Sequence, residues 1–155
     1  MDGAAQNGNQ LEKALVRVSE TYEGRPGDIA RGRELARDFL TRLRAERHVP
    51  VSDRTVDVVQ LVVSELLTNA CKYAPGPSLV DLVVAEDRVE VSVWDSDPVL
   101  PVPEASDPAR IGRHGLEIVM AVCETFDVRR EPVGKRTTAA VPLAGEPGTT
   151  RGRTA

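Results

Sequence analysis

Residues 64–73 read SELLTNACKY, and they place a carboxylate, Glu65, and an amide, Asn69, four residues apart in an otherwise almost wholly apolar run. An unpaired amide or carboxylate taken out of water costs roughly a few kcal/mol or more, so groups of this kind in such a run call for a partner or a ligand. The run sits inside VSDRTVDVVQLVVSELLTNACKYA, residues 51–74, which opens on Ser52 or Asp53 as a capping residue and stops at Pro75 and Gly76. Those signals define a long helix. On a wheel of about 100° per residue, Val59, Val62, Val63, Leu66, Ala70 and Tyr73 form an apolar stripe opposite Asp57, Gln60, Ser64 and Thr68. Glu65 and Asn69 fall within about 40° of one another at the edge of that stripe, on the rim between the helix and whatever it packs against.

Outward from this helix the other elements are legible. ALVRVSETY (14–22) alternates as a short strand, and GDIARGRELARDFLTRLRAE (27–46) carries Ile29, Leu35, Ala36, Phe39, Leu40 and Leu43 at helical spacing, with Asp28 as a capping candidate. SLVDLVVAEDRVEVSVWDSD (78–97) gives two β-rich runs on either side of Glu86, Asp87 and Arg88, which is a hairpin signal. A loop from about Ser96 to Arg110 follows, then a third helix in HGLEIVMAVCETF (114–126). TFDVRRE and RTTAAVPL read as two last strands closing through PVGK. The order strand, helix, helix, strand, strand, loop, helix, strand, strand predicts an α+β two-layer sandwich, a mixed and mostly antiparallel sheet with its helices on one face. The two chain ends, poor in bulky apolar side chains, are expected to be disordered tails at 1–10 and 144–155 around one domain at 11–143.

Bulk properties narrow the classes of partner. A net charge of −4 argues against a nucleic-acid footprint. Cys71 and Cys123 stand alone, without the spacing of a zinc site or a disulfide framework, which fits a reduced compartment. MDGAAQNGNQ has neither the basic nor the apolar region of a signal peptide, and no apolar run approaches the roughly 18 residues of a membrane span. A cytoplasmic location without membrane attachment is expected.

Three features carry chemistry, each with a plainer alternative. Glu65 and Asn69 point at a pocket mouth, or else hydrogen-bond to one another as an exposed i,i+4 pair. Asp95 ends the strand in VSVWDSD, where a carboxylate can accept hydrogen bonds from a ligand amino group, or else serves as a turn-forming residue. Gly112 and Gly115, in RIGRHGLEIV, precede an apolar helix, where a close-approaching backbone and free N–H groups favour a phosphate. His48 reads as a helix-terminal or surface histidine, His114 as part of the glycine motif, and Trp94 as a packing residue.

Taken in order, Glu-x-x-x-Asn on a long helix, Asp after a hairpin strand, a charged loop, Gly-x-x-Gly at a helix start and GKRTT before a final strand resemble the Bergerat nucleotide-binding fold of histidine kinase catalytic domains, gyrase and MutL. Within that superfamily the chain is similar to the stand-alone anti-sigma-factor serine kinases over roughly residues 11 to 143, most specifically in ELLTNACKYA and then in GRHGLEIV. The resemblance implies ATP and Mg²⁺ as cofactors. It gives Asn69 the role of Mg²⁺ ligand, Glu65 that of general base towards a serine hydroxyl or a water, and Asp95 that of acceptor for the adenine amine. It further implies that Gly112 and Gly115, with the backbone around His114 and Leu116, hold the phosphates under a lid of about residues 97 to 111, that Arg110 lies near the γ-phosphate, and that Thr137 or Thr138 supports Asp95, Thr137 being preferred. The chain departs from the family after Asp95, where DSDPV puts Asp97 and Pro98 in place of the Asp-x-Gly-x-Gly glycines.

Three functions follow from the resemblance. The first is an anti-sigma factor that binds a sigma factor and phosphorylates an anti-anti-sigma protein, as a serine/threonine kinase. The second is a catalytically silent ATP- or partner-binding module of the same fold, and the third a non-regulatory ATPase subunit. A homodimer is compatible with all three. Intact Glu65 and Asn69 favour the first, the missing glycines the second.

Overall fold

The computed structural model of the chain describes residues 16–74, 76–97 and 112–144, and for residues 112–115 the backbone alone. Its elements are β1 (Arg17–Tyr22), α1 (Gly27–Glu46), α2 (Asp53–Tyr73), β2 (Ser78–Ala85), β3 (Arg88–Asp95), α3 (Gly112–Val122), β4 (Thr125–Arg130) and β5 (Lys135–Pro142). They form the expected two-layer α+β sandwich, a five-stranded open sheet in the order β1-β2-β3-β5-β4. Every neighbouring pair is antiparallel, so the sheet is not mixed. The reason is the position of β5: β3 and β4, joined through α3, run in the same direction, but β5 is inserted between them and pairs antiparallel with both. The tails anticipated at 1–10 and 144–155 fall almost wholly outside the described residues.

Period-two alternation decides which face of the sheet is covered. On β3, Val89, Val91, Val93 and Asp95 are buried while the residues between them are half-exposed. Their cross-strand partners Val84, Leu82, Val80 and Ser78 on β2, and Val141, Ala139, Thr137 and Lys135 on β5, share that face. The helices pack on it. α2 buries Val58, Val59, Val62, Val63, Leu66, Leu67 and Ala70, a wider band than one stripe because it touches the sheet on one side and α1 on another. Tyr73, assigned by the wheel to the stripe, is instead 44% exposed, while Ala70 and Ala74 beside it are buried. α1 approaches α2 closely at Gly32, where an added methyl would stand 2.5 Å from Leu67 Cδ1 and 3.1 Å from Val63 Cγ1.

The other face of the sheet is polar. Arg17 grips Asp81 through Nε and Nη2 at 3.0 and 2.9 Å, Ser92 pairs with Thr138 at 3.0 Å, and the Trp94 indole N–H donates to the Val133 carbonyl at 2.9 Å. Trp94 is thus a hydrogen-bonded residue of the open face and lies outside the core made by its valine neighbours.

Helix ends follow the sequence at α2 and differ at α1. Ser52 accepts a hydrogen bond from the Thr55 N–H at 3.0 Å, and the buried Thr55 hydroxyl lies 2.9 Å from the carbonyl oxygens of Pro142 and Leu143, which ties the start of α2 to the end of β5. Asp28 does not cap α1. It sits within the first turn, completely buried, and its carboxylate accepts the N–H groups of Gly24 and Arg25 at 2.9 Å each and an ion pair from Arg31. These bonds, the Arg25 N–H above all, hold its carboxyl below the usual carboxylate range. Past the last turn of α1, exposed His48 takes a left-handed φ of 57°, a chain-reversing conformation at a helix end.

Candidate functional site

One end of the covered face collects polar groups that sheets normally keep out of their cores. Reading across the strands, Tyr22 on β1 pairs with Ser78 on β2, Ser78 with Asp95 on β3, and Asp95 with Lys135 on β5. All four are buried. Lys135 Nζ donates to Asp95 Oδ1 at 3.0 Å and to the Asp97 carbonyl at 3.0 Å, and both side chains of the ion pair are only 5% exposed. The Asp97 N–H adds a second bond to the same Oδ1 at 2.9 Å, so Asp95 also closes a local turn. On the other flank, Ser78 Oγ is, among the described residues, the buried side-chain polar atom without a hydrogen-bond partner.

Close backbone approaches converge on this end. Gly134, in the β4–β5 turn, has φ +78°, and a methyl there would run into the Asp95 carbonyl oxygen and stand 2.9 Å from Ser96 Cα. A methyl on Gly24 would meet the Gly76 carbonyl oxygen at 3.1 Å, and one on Gly76 would meet Ser96 Oγ at 3.8 Å. The β1–α1 loop, the α2–β2 joint and the end of β3 therefore meet around the last turns of α2. Burial, with Glu20 beside it, pushes the Tyr22 phenol up to about 12, and Cys71 on α2 is raised by burial and by the nearby Asp28 carboxylate. Cys123, at the end of α3, is pushed up to about 12 by burial alone. Neither thiol has the lowered pKa of a nucleophile.

Glu65 and Asn69 are half-buried on α2. Neither side chain makes a hydrogen bond or ion pair with another described residue, so the exposed i,i+4 pair is not formed and both keep free oxygens. Asp95 lies at the strand end, as the alternation indicated, but buried against Lys135. Thr137 shares the covered face with Asp95, whereas Thr138 points to the open face with Ser92. Gly112 opens α3 and Gly115 lies within its first turn; the helix starts two residues before His114, where the sequence had set its beginning. Leu116 packs its half-buried side chain against the core. Arg110 and the lid residues from 98 onward lie outside the described residues. Among those described, no cluster of three or more metal-ligating side chains exists, and no helix is long and apolar enough to cross a membrane. A cleft of about 280 Å³ between β1 and α1, floored by Val18, Leu35 and Phe39, opens at the far end of the sheet from Asp95.

Tyr22, Ser78 and Lys135 of the polar row carry no signal that singles them out locally in the sequence. For Lys135 a signal exists in its phase: a lysine in step with Thr137, Ala139 and Val141 stands on a covered strand face, a placement that requires a partner.

Residues 26–141 match the model of the histidine kinase-like ATPase domain. The chain belongs to that family, and its fold is the Bergerat ATPase fold. A search of curated proteins found no match. Solved structures similar to it include the histidine kinase domain of the blue-light activated histidine kinase of Erythrobacter litoralis EL346, with 22% identity over 70% of this chain and 61% of that one and a TM-score of 0.43. A longer structure of that kinase gives 26% identity over 60% of this chain and 32% of its own, with a TM-score of 0.43. The Acinetobacter baumannii histidine kinase AdeS gives 13% identity over 83% and 68%, with a TM-score of 0.45. The chain thus spans about three fifths of the first of these and a third of the second.

Proposed function

We propose that the chain is an ATP-binding regulatory protein, an anti-sigma factor that also acts as a serine/threonine kinase towards an anti-anti-sigma protein. The observation that carries this reading is the pair on α2: a carboxylate and an amide, half-buried, one turn apart and without a side-chain partner among the described residues, in a domain of the histidine kinase-like ATPase family. Oxygens of this kind suit Mg²⁺, a hard ion that keeps several waters and needs only one or two protein oxygens beside substrate phosphates, so the lack of a three-residue cluster among the described residues does not count against it. Asn69 would hold the ion through its amide oxygen. When bound, Mg-ATP supplies the transferable phosphoryl group and the charge neutralisation around it.

Glu65 would serve as general base, taking the proton of the partner hydroxyl that accepts the terminal phosphoryl group of ATP, with ADP as the leaving group. Gly112 and Gly115 at the start of α3 offer backbone N–H groups to the phosphates. Thr137 supports Asp95 from the same face. Arg110 would supply the cation that neutralises charge at the γ-phosphate.

A second reading, a module that binds a partner without turnover, is favoured by one specific feature: Asp95 is already engaged by Lys135, in a chain that lacks the glycines after Asp95. Calorimetric titration of wild type and Asn69→Ala with ATP, in Mg²⁺ and in EDTA, tests the proposal. Wild type should bind more tightly with Mg²⁺, and the variant should lose at least about tenfold in affinity together with the metal dependence. Equal affinities would contradict the assignment of Asn69.

A further inference from the structure

Asp95 is the carboxylate through which the proposed site would read a ligand amine, and the structure shows its Oδ1 already accepting Lys135 Nζ at 3.0 Å and the Asp97 N–H at 2.9 Å. The lysine is held in turn. Its ammonium also donates to the Asp97 carbonyl at 3.0 Å, its side chain is 5% exposed, and its backbone follows Gly134, whose left-handed turn lies against the Asp95 carbonyl. A buried ammonium fixed at two points by charge-assisted bonds is a stronger competitor for a carboxylate oxygen than water is. On the opposite flank the buried Ser78 hydroxyl has no partner, an uncommon state that points to a ligand atom at this end of the row.

We infer that Lys135 is a specificity-determining residue, a positioning cation that takes Oδ1 of Asp95 and pairs its charge, leaving the exocyclic amine of a purine nucleotide only the weakened acceptor Oδ2. The inference rests on the nucleotide-binding reading of this site. It adds that the amine contributes little to binding in this chain because an ammonium at Oδ1 already neutralises the carboxylate. Removing the ammonium without enlarging the side chain gives Asp95 back to the ligand. Lys135 is thus the element of the chain that sets how much of a purine is read, whatever the phosphates contribute.

The test compares ATP with purine riboside triphosphate, which carries hydrogen in place of the amine, in wild type and Lys135→Met. Wild type should bind the two within about threefold of each other, whereas Lys135→Met should bind ATP more tightly than wild type does and prefer it over the analogue by about 10- to 100-fold, the value of a hydrogen bond to a charged acceptor. A lysine with a purely structural role would change stability and leave the ratio of the two ligands where it was. If Lys135→Met does not fold, Lys135→Gln, which keeps a neutral donor for Asp95, is compared instead and should show a preference of intermediate size. A wild-type preference for ATP of tenfold or more would overturn the inference, because Asp95 would then already be available to the amine. So would variants that keep the wild-type ratio. Absence of any nucleotide binding in wild type and variants alike would instead remove the nucleotide reading of the site, and the inference with it.

Discussion

Gly134→Ala isolates the contact that fastens the β4–β5 turn to the end of β3. The residue has φ +78°, and holding an alanine in the left-handed region costs about 1–2 kcal/mol. The added methyl would also collide with the Asp95 carbonyl oxygen and stand 2.9 Å from Ser96 Cα. Both are backbone atoms of the strand end, so neither can turn aside as a flexible side chain would. Overpacking of this kind adds about 1–3 kcal/mol. The total, roughly 2–5 kcal/mol, corresponds to a fall in Tm on the order of 5–15 °C for a domain of this size. Because Lys135 is the next residue, the displaced turn should carry its ammonium away from Asp95. The assay is urea unfolding followed by circular dichroism, with Gly27→Ala as the internal control. Gly27 has no heavy atom within 4 Å of an added methyl and begins α1, so its substitution should be neutral or slightly stabilising. A Gly134→Ala protein within about 0.5 kcal/mol of wild type would refute the reasoning, since only surface substitutions fall in that range.

Two further outcomes concern the helix starts. Ser52→Ala removes the acceptor for the Thr55 N–H and should cost about 1 kcal/mol in the same unfolding assay, while the bonds from Thr55 to the end of β5 persist. Asp28→Asn tests the depressed carboxyl in α1: a group whose folded pKa lies below its unfolded one stabilises the fold fully above about pH 4 and loses that contribution as the pH falls through the folded value, so the variant should be less stable than wild type at pH 7 and converge with it in acid. A stability gap independent of pH between 2 and 7 would contradict the assignment.

The elements were readable because their signals were redundant. The α1 segment and the β2–β3 hairpin each combine strong periodicity with unambiguous stops, and Ser52 caps α2 with the hydrogen bond its position implies. Sheet order was less accessible. That β5 inserts between β3 and β4 is a long-range choice, which local patterns in TFDVRRE and RTTAAVPL do not encode. Asp28 illustrates a different limit, because an acid one residue inside a helix start looks like a cap in sequence, whereas its partners, Gly24 and Arg25, are set by how the preceding loop folds back. At the site, Glu65 and Asn69 stood out as polar residues in an apolar helix, and Asp95 as the end of an alternating strand. Lys135 and Ser78 could be joined to Asp95 only through register, since the row spans three strands and Lys135 alone lies 40 residues from Asp95 along the chain.

The central claim is that Glu65 acts as a base in phosphoryl transfer, and Glu65→Gln addresses it most directly. The substitution preserves volume and helix propensity on α2, so the fold and ground-state nucleotide binding should change little. Incubation of the wild-type chain with Mg-ATP and the proposed anti-anti-sigma partner should yield phosphoserine or phosphothreonine on that protein, at a rate the variant lowers by about 10²- to 10⁴-fold with its ATP affinity nearly unchanged. A wild-type chain that binds Mg-ATP yet transfers no phosphate to its partner, or a Glu65→Gln chain that transfers it as fast as wild type, would contradict the account.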